Sequence, residues 1–135
     1  MKKSAFTVFT LLSFISIASA NPDKKLILLF NQSFPSAENV RWHDEKDAHV
    51  VFFKAGKITN RITYNLNDEF VRGERYYDEN ILPVYILFAI RKKYKKEQIF
   101  GVTELTDQSS IYYHIVLKMI PPFVSSMCLW MVLLN

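Results

Sequence analysis

The spacing of apolar positions changes repeatedly between residues 24 and 117, and each change marks an element. Leu26, Leu29, Phe30 and Phe34 fall near helical spacing, which predicts a short helix over Lys24–Phe34 ended by Pro35. From Asn39 the period shortens. Val40 and Trp42 lead into the polar run His43–Asp47, which reads as a hairpin loop. Ala48–Lys54 is strand-like and apolar on both faces. Lys57–Leu66 alternates: Ile58, Ile62, Tyr64 and Leu66 point one way, with Asn60 breaking the set. Lys57, Thr59, Arg61, Thr63 and Asn65 point the other way. Ala55-Gly56 and Asn67-Asp68 are turn signals at its two ends. Phe70–Tyr77 is a further strand, rich in aromatics. Pro83 then opens a helix continuing over Val84–Lys96, with Ile86, Ile90 and Tyr94 four apart and Leu87 beside them. Phe100–Leu105 and Ile111–Leu117 are two more strands around the polar turn Thr106–Ser110.

The two halves run in parallel. Phe34 precedes Val40 and Trp42 at the spacing with which Tyr94 precedes Phe100 and Val102. Each half then has a polar turn and a strand, Ala48–Lys54 in one and Ile111–Leu117 in the other. The expected fold is α+β: an antiparallel sheet with helices on one face, built from two weakly similar helix-plus-strands units.

The ends of the chain break this pattern. Half of the 135 residues are apolar and 22% are charged, but the distribution is uneven. Residues 1–20 hold 12 apolar residues and two charges, and residues 119–135 hold 12 and none. Met1-Lys2-Lys3, the apolar stretch Ala5–Ile17 and the small residues Ala18-Ser19-Ala20 have the layout of a secretory signal peptide cleaved after Ala20. The run is shorter than the roughly 20 apolar residues of a spanning helix. Export implies a periplasmic or secreted domain over residues 21–118, with no transmembrane segment after cleavage. Removing Lys2 and Lys3 lowers the formal charge from +4 to +2, which gives no general case for nucleic acid. Cys128 is the lone cysteine, so no intramolecular disulfide forms and stability rests on a packed core.

The segment from Met119 is an atypical apolar tail. Pro121-Pro122 interrupts any element entering it, and the run Met127–Leu134 is too short to span a bilayer. It reads either as a last strand closing the sheet or as an out-of-frame or truncated end. The second reading is slightly favoured.

The sequence holds little that points to catalysis. His43 and His49 flank Asp44, Glu45 and Asp47, but their spacing matches no closed metal motif. Cys128 sits among apolar neighbours, where a reactive thiolate is not expected. Gly56, Gly73 and Gly101 are isolated, so no phosphate-binding loop is present. The basic run Arg91–Lys96 suits a helix C-terminus, where cations are favoured by the macrodipole. The sheet is the better candidate. If helices cover the face of Ile58, Ile62, Tyr64, Ile111, Tyr113 and Ile115, then Arg61, Thr63, Tyr112 and His114 lie on the open face. Arg and Tyr are enriched among interface hot spots.

The run Phe34-Pro35-Ser36-Ala37-Glu38-Asn39-Val40-Arg41-Trp42 resembles the opening motif of the secreted PepSY-like proteins of Bacteroidetes, also described as beta-lactamase-inhibitor-like. Arg75-Tyr76-Tyr77, Leu82-Pro83, Lys93-Tyr94 and Phe100-Gly101-Val102-Thr103-Glu104 follow in that family's order, so the resemblance covers residues 24–117. It implies a small periplasmic or secreted domain with helices on one face of an antiparallel sheet, and no established catalytic activity. After Lys118 the sequence departs from the pattern, turning apolar where the family continues with polar strand sequence.

The expected function is therefore that of an exported, non-enzymatic, inhibitor-like binding domain. It would act as a monomer without cofactors, recognising a protein or peptide of the cell envelope through Arg61, Thr63, Tyr112 and His114. The alternatives are a small exported metal-dependent enzyme using His43, His49 or His114, and an envelope-associated structural or stress protein.

Overall fold

The computed structural model describes residues 22–119 and the strand 126–134. The segment read as an export signal lies outside the described residues. The elements run α1 (Lys24–Ser33), β1 (Glu38–Glu45), β2 (Ala48–Ala55), β3 (Ile58–Asn65) and β4 (Phe70–Tyr77). A 3₁₀ turn at Glu79–Ile81 leads to α2 (Val84–Lys93), β5 (Glu97–Thr106), β6 (Ser110–Met119) and β7 (Ser126–Leu134). All seven strands form one antiparallel sheet in sequence order.

Both helices pack on the same face of that sheet. Leu26 and Phe30 of α1 are buried one turn apart, and Phe30 joins Val51, Phe53 and Ile62 in one apolar cluster. The rings of Phe34, Trp42 and Phe53 lie 5.3, 5.5 and 5.1 Å from Phe30, the last two edge-on. The helix ends where the sequence predicts. Phe34 precedes Pro35, which disfavours helical dihedrals at Phe34, and its N–H closes the last turn on the Phe30 carbonyl at 2.9 Å. In α2, Ile86 and Ile90 are buried against Tyr77, Val102, Tyr113, Ile115 and Leu117, with Tyr94 packed at the edge.

A polar seam lies on the helix-bearing face between these clusters. Asn60, Arg75 and Glu104 are neighbours across β3, β4 and β5. Glu104 is buried and accepts from Arg75 Nη1 at 2.8 Å and from the Tyr77 hydroxyl at 2.6 Å. The Asn60 amide donates to the Ile58 carbonyl at 3.2 Å, so the residue that breaks the alternation of β3 is a satisfied buried amide.

Several elements differ from the sequence reading. Helix α2 ends at Lys93 and not at Lys96, because the chain turns at Tyr94 and enters β5 at Glu97, ahead of the expected Phe100. His43–Glu45 belong to β1, and the hairpin turn shrinks to Lys46-Asp47. Being an edge strand, β1 buries almost nothing, so its polar residues lie on a strand instead of marking a loop. Leu66 sits in the turn after β3 and is exposed, because the chain leaves the sheet at Asn65. The tail takes the strand arrangement: Ser126–Leu134 pairs along β6 from Lys118 to Ser110 as the second edge of the sheet.

Candidate interaction surface on the open sheet face

Pairing registers place side chains on the open face in rows that cross the strands. One row runs Arg41, Phe52, Arg61, Glu74, Leu105, Tyr112 from β1 to β6. A second runs Thr59, Tyr76, Thr103, His114, and a third His43, Val50, Thr63, Arg72. Arg61 and Tyr112 thus share a row, three strand spacings or about 14 Å apart. His114 lies in the adjacent row, beside Tyr112 on β6. Thr63 is on the same face but in the row that ends at β4.

The β1–β4 half of this face is tied together by charge. Glu74 is buried and accepts from Arg61 Nη1 at 2.7 Å. It is also bridged by Arg72 at 3.3 Å and bonded by the Tyr76 hydroxyl. Arg61 Nη2 reaches back to Glu45 on β1 at 3.2 Å. That ion pair runs from the Phe52 end of β2 towards its Ala48 end, crossing the strand at Val50, which has 0% exposure. The guanidinium also stands 5.7 Å over the Phe52 ring, against which His43 packs edge-on at 5.5 Å. Burial works against the Arg61 charge, and attraction to Glu74 and Glu45 outweighs it, so its pKa lies above the ordinary value. Burial and the Glu74 hydrogen bond push the Tyr76 hydroxyl up to about 12.

The four residues singled out from sequence therefore share a face but not a role. Tyr112 and His114 are half-buried in β6, within reach of a partner. Arg61 is mostly covered and belongs to the lattice that holds β1 to β4. Thr63 is only 7% exposed and cannot serve as a direct contact; its hydroxyl is buried with no hydrogen-bond partner. Sequence reasoning missed Phe52, Tyr76 and Leu105, which fill the same rows. The alternation of β2 and β5 hinted at them, but only the register assigns them to neighbours of Arg61 and Tyr112. Beside the bulge in β1, an open depression of about 550 Å³ adds Asn39, Arg41, His43, Phe52, Lys54 and Thr59 to this side.

The histidines do not converge. His43 and His49 pair with Val50 and Asp44 respectively, so they project to opposite faces of the sheet. His49 is buried on the helix side, with Nδ1 2.7 Å from Asp44 Oδ1. His114 stands four strands from β2 on the open side. The flanking of one acidic loop that made a shared metal site conceivable disappears once that loop becomes strand. No three His, Cys, Asp or Glu side chains cluster as metal ligands among the described residues.

Comparison with known proteins bears on the fold. No protein-family profile matches the chain, and no curated relative does. Solved structures do. A DUF2874 family protein from Bacteroides ovatus superposes with a TM-score of 0.64 at 15% identity, covering 83% of this chain and 81% of that one. A second DUF2874 family protein, from Bacteroides uniformis, gives 0.63 at 11% identity with 82% of each chain covered. A BLIP-like protein from Bacteroides fragilis gives 0.59 at 14% identity, over 85% of this chain and 89% of that one. A Bacteroides eggerthii chain, provisionally described as periplasmic, gives 0.55 at 12% identity, over 80% and 89%. The antiparallel sheet with helices on one face is thus a fold shared with BLIP-like proteins.

Proposed function

We propose that this chain is an exported, non-enzymatic binding domain that recognises a protein or peptide through the open face of its sheet. The observation that carries the reading is the row Phe52, Arg61, Glu74, Leu105, Tyr112: aromatic, cationic and aliphatic groups held in register on the face opposite the two described helices. The Glu45–Arg61–Glu74 lattice stiffens the β1–β4 half, so little side-chain entropy would be lost there on association. The half-buried Tyr112 and His114 supply the adaptable part. An inhibitor-like role draws support from the name of the Bacteroides fragilis neighbour, and a periplasmic or secreted location from that of the Bacteroides eggerthii chain. The leader-like residues 1–20 agree with that location, and no helix among the described residues is long and apolar enough to cross a membrane.

The finer affiliation belongs to the same proposal. The chain is a PepSY-like protein made of two related units, α1 with β1–β4 and α2 with β5–β7, and it acts as a monomer. The helix–strands order repeats across the 3₁₀ turn, and Phe34 and Tyr94 occupy matching helix ends.

Tyr112→Ala is the clean test, because the Tyr112 side chain makes no hydrogen bond or ion pair among the described residues. In a pull-down from envelope extract, the wild-type chain should retain a partner that Tyr112→Ala loses at an unchanged melting temperature and that His114→Ala also loses. Retention of the same partner by both variants would remove the open face as the binding surface. Arg61→Ala is a poorer probe, since it also removes a partner of the buried Glu74 and so alters the sheet itself.

A further inference from the structure

The layer opposite the open face carries an unpartnered surface of a different chemistry. The outer stripe of α2 and the turn before it runs Ile81, Val84, Tyr85, Phe88 and then Arg91 and Lys92, and Lys95 and Lys96 follow in the bend after the helix. Its first half is apolar and exposed: Val84 is 67% and Phe88 71% accessible. Four large apolar side chains in sequence along one stripe form a patch, whereas isolated exposed residues would need no explanation. The second half is cationic. Arg91 is paired with Glu79, and the Glu97 carboxylate accepts from the Lys96 backbone N–H at 3.1 Å. Lys92, Lys95 and Lys96 make no ion pair among the described residues. The outer side of α1, on the same sheet face, repeats the theme with Lys24, Lys25, Leu28 and Leu29.

We infer that this helix layer is a lipid-docking surface, which seats the protein on a membrane bearing anionic headgroups. An apolar stripe continued by uncompensated lysines is complementary to an acyl boundary rimmed with phosphate, and an apolar patch alone would not select charge. The helix dipole accounts for basic residues in the last turn of α2, but not for an apolar outer face preceding them. The inference is independent of the open-face reading. Docking through the helices leaves the opposite side of the sheet turned towards solution.

Vesicle co-sedimentation of the full chain tests it, comparing phosphatidylglycerol-containing with pure phosphatidylcholine vesicles. Residues 1–20 and 119–135 stay constant in every variant, so differences report the helix layer. The wild-type chain should bind the anionic vesicles preferentially and lose binding as salt is raised. Replacing Lys92, Lys95 and Lys96 with Gln should weaken partitioning by about fivefold per lysine, on the order of 100-fold together. Phe88→Ser should weaken it by about tenfold, and Tyr112→Ala should leave it unchanged. Equal binding to both vesicle types, or no loss in the lysine and Phe88 variants, would overturn the inference. So would a concentration-dependent dimer that Phe88→Ser dissociates, because the patch would then be covered by a second copy.

Discussion

Two glutamates on opposite faces of the sheet share one pattern of hydrogen bonds, an arginine and a tyrosine each, in different surroundings. Glu74 on the open face and Glu104 beneath the helices are each 8% exposed, and each accepts from one arginine at 2.7–2.8 Å and from one tyrosine hydroxyl. Strand β4 feeds both: Glu74 and Tyr76 point to one face, Arg75 and Tyr77 to the other. The difference lies in what would replace a lost partner. Around Glu74, Arg72 is about half exposed and Arg61 has Glu45 as a second acid, so water and Glu45 can take over. Tyr77 packs within the α2 cluster with Arg75 5.5 Å over its ring, and its hydroxyl has Glu104 as its one acceptor among the described residues. Equal burial therefore does not imply equal dependence.

That contrast gives a ranked set of expectations. Glu104→Ala should cost the most, about 3 kcal/mol, because it strands the Tyr77 hydroxyl in the core and leaves Arg75 without its acid. Glu74→Ala should cost about half as much, since Arg61 keeps Glu45. Urea melts of the two variants measure both, and equal losses would erase the distinction. Thr63→Val should move the other way and raise stability by about 1 kcal/mol, because it removes an orphaned buried hydroxyl at little change of shape.

The smallest effect appears only at alkaline pH. The Tyr76 pKa of about 12 exceeds the unfolded value near 10, so its contribution is complete below pH 10 and is lost as pH rises towards 12. Tyr77 is shifted further in the same direction, by burial first and then by its bond to Glu104. Tyr76→Phe should shallow the fall in stability between pH 10 and 12, since the contribution lost there by the wild-type chain is already absent from the variant at pH 7. An unaltered slope would place the alkaline sensitivity at Tyr77.

The sequence was most legible where one face is buried and the other is wet. Ile58, Ile62 and Tyr64 could be assigned to the helix side because β3 is central and its alternation is enforced by packing. Val50 and Val51, adjacent and both fully buried, explain why Ala48–Lys54 looked apolar throughout: an ion pair roofs one face and a helix the other. At the edge this signal vanishes. In β1 only Trp42 is drawn inward, so His43, Asp44 and Glu45 carried no mark of strand. The polar lattice was the least legible part. Arg61 and Glu74 are 13 residues apart, and Arg75 and Glu104 are 29 apart. Such pairs exist only after register is fixed, and register is a property of the assembled sheet.

The order of the strands also constrains how the molecule is assembled. Every ladder joins consecutive strands, and from β1 to β6 each pairing but β4 with β5 can close across a tight turn. Loop-closure entropy is then small at most steps, which favours rapid zippering by hairpins. The α2-bearing crossing between β4 and β5 is the exception. It must close over Asp78–Lys96 before Glu104 can meet Arg75 and Tyr77, so that meeting is placed to be a late event that commits the two halves to one another.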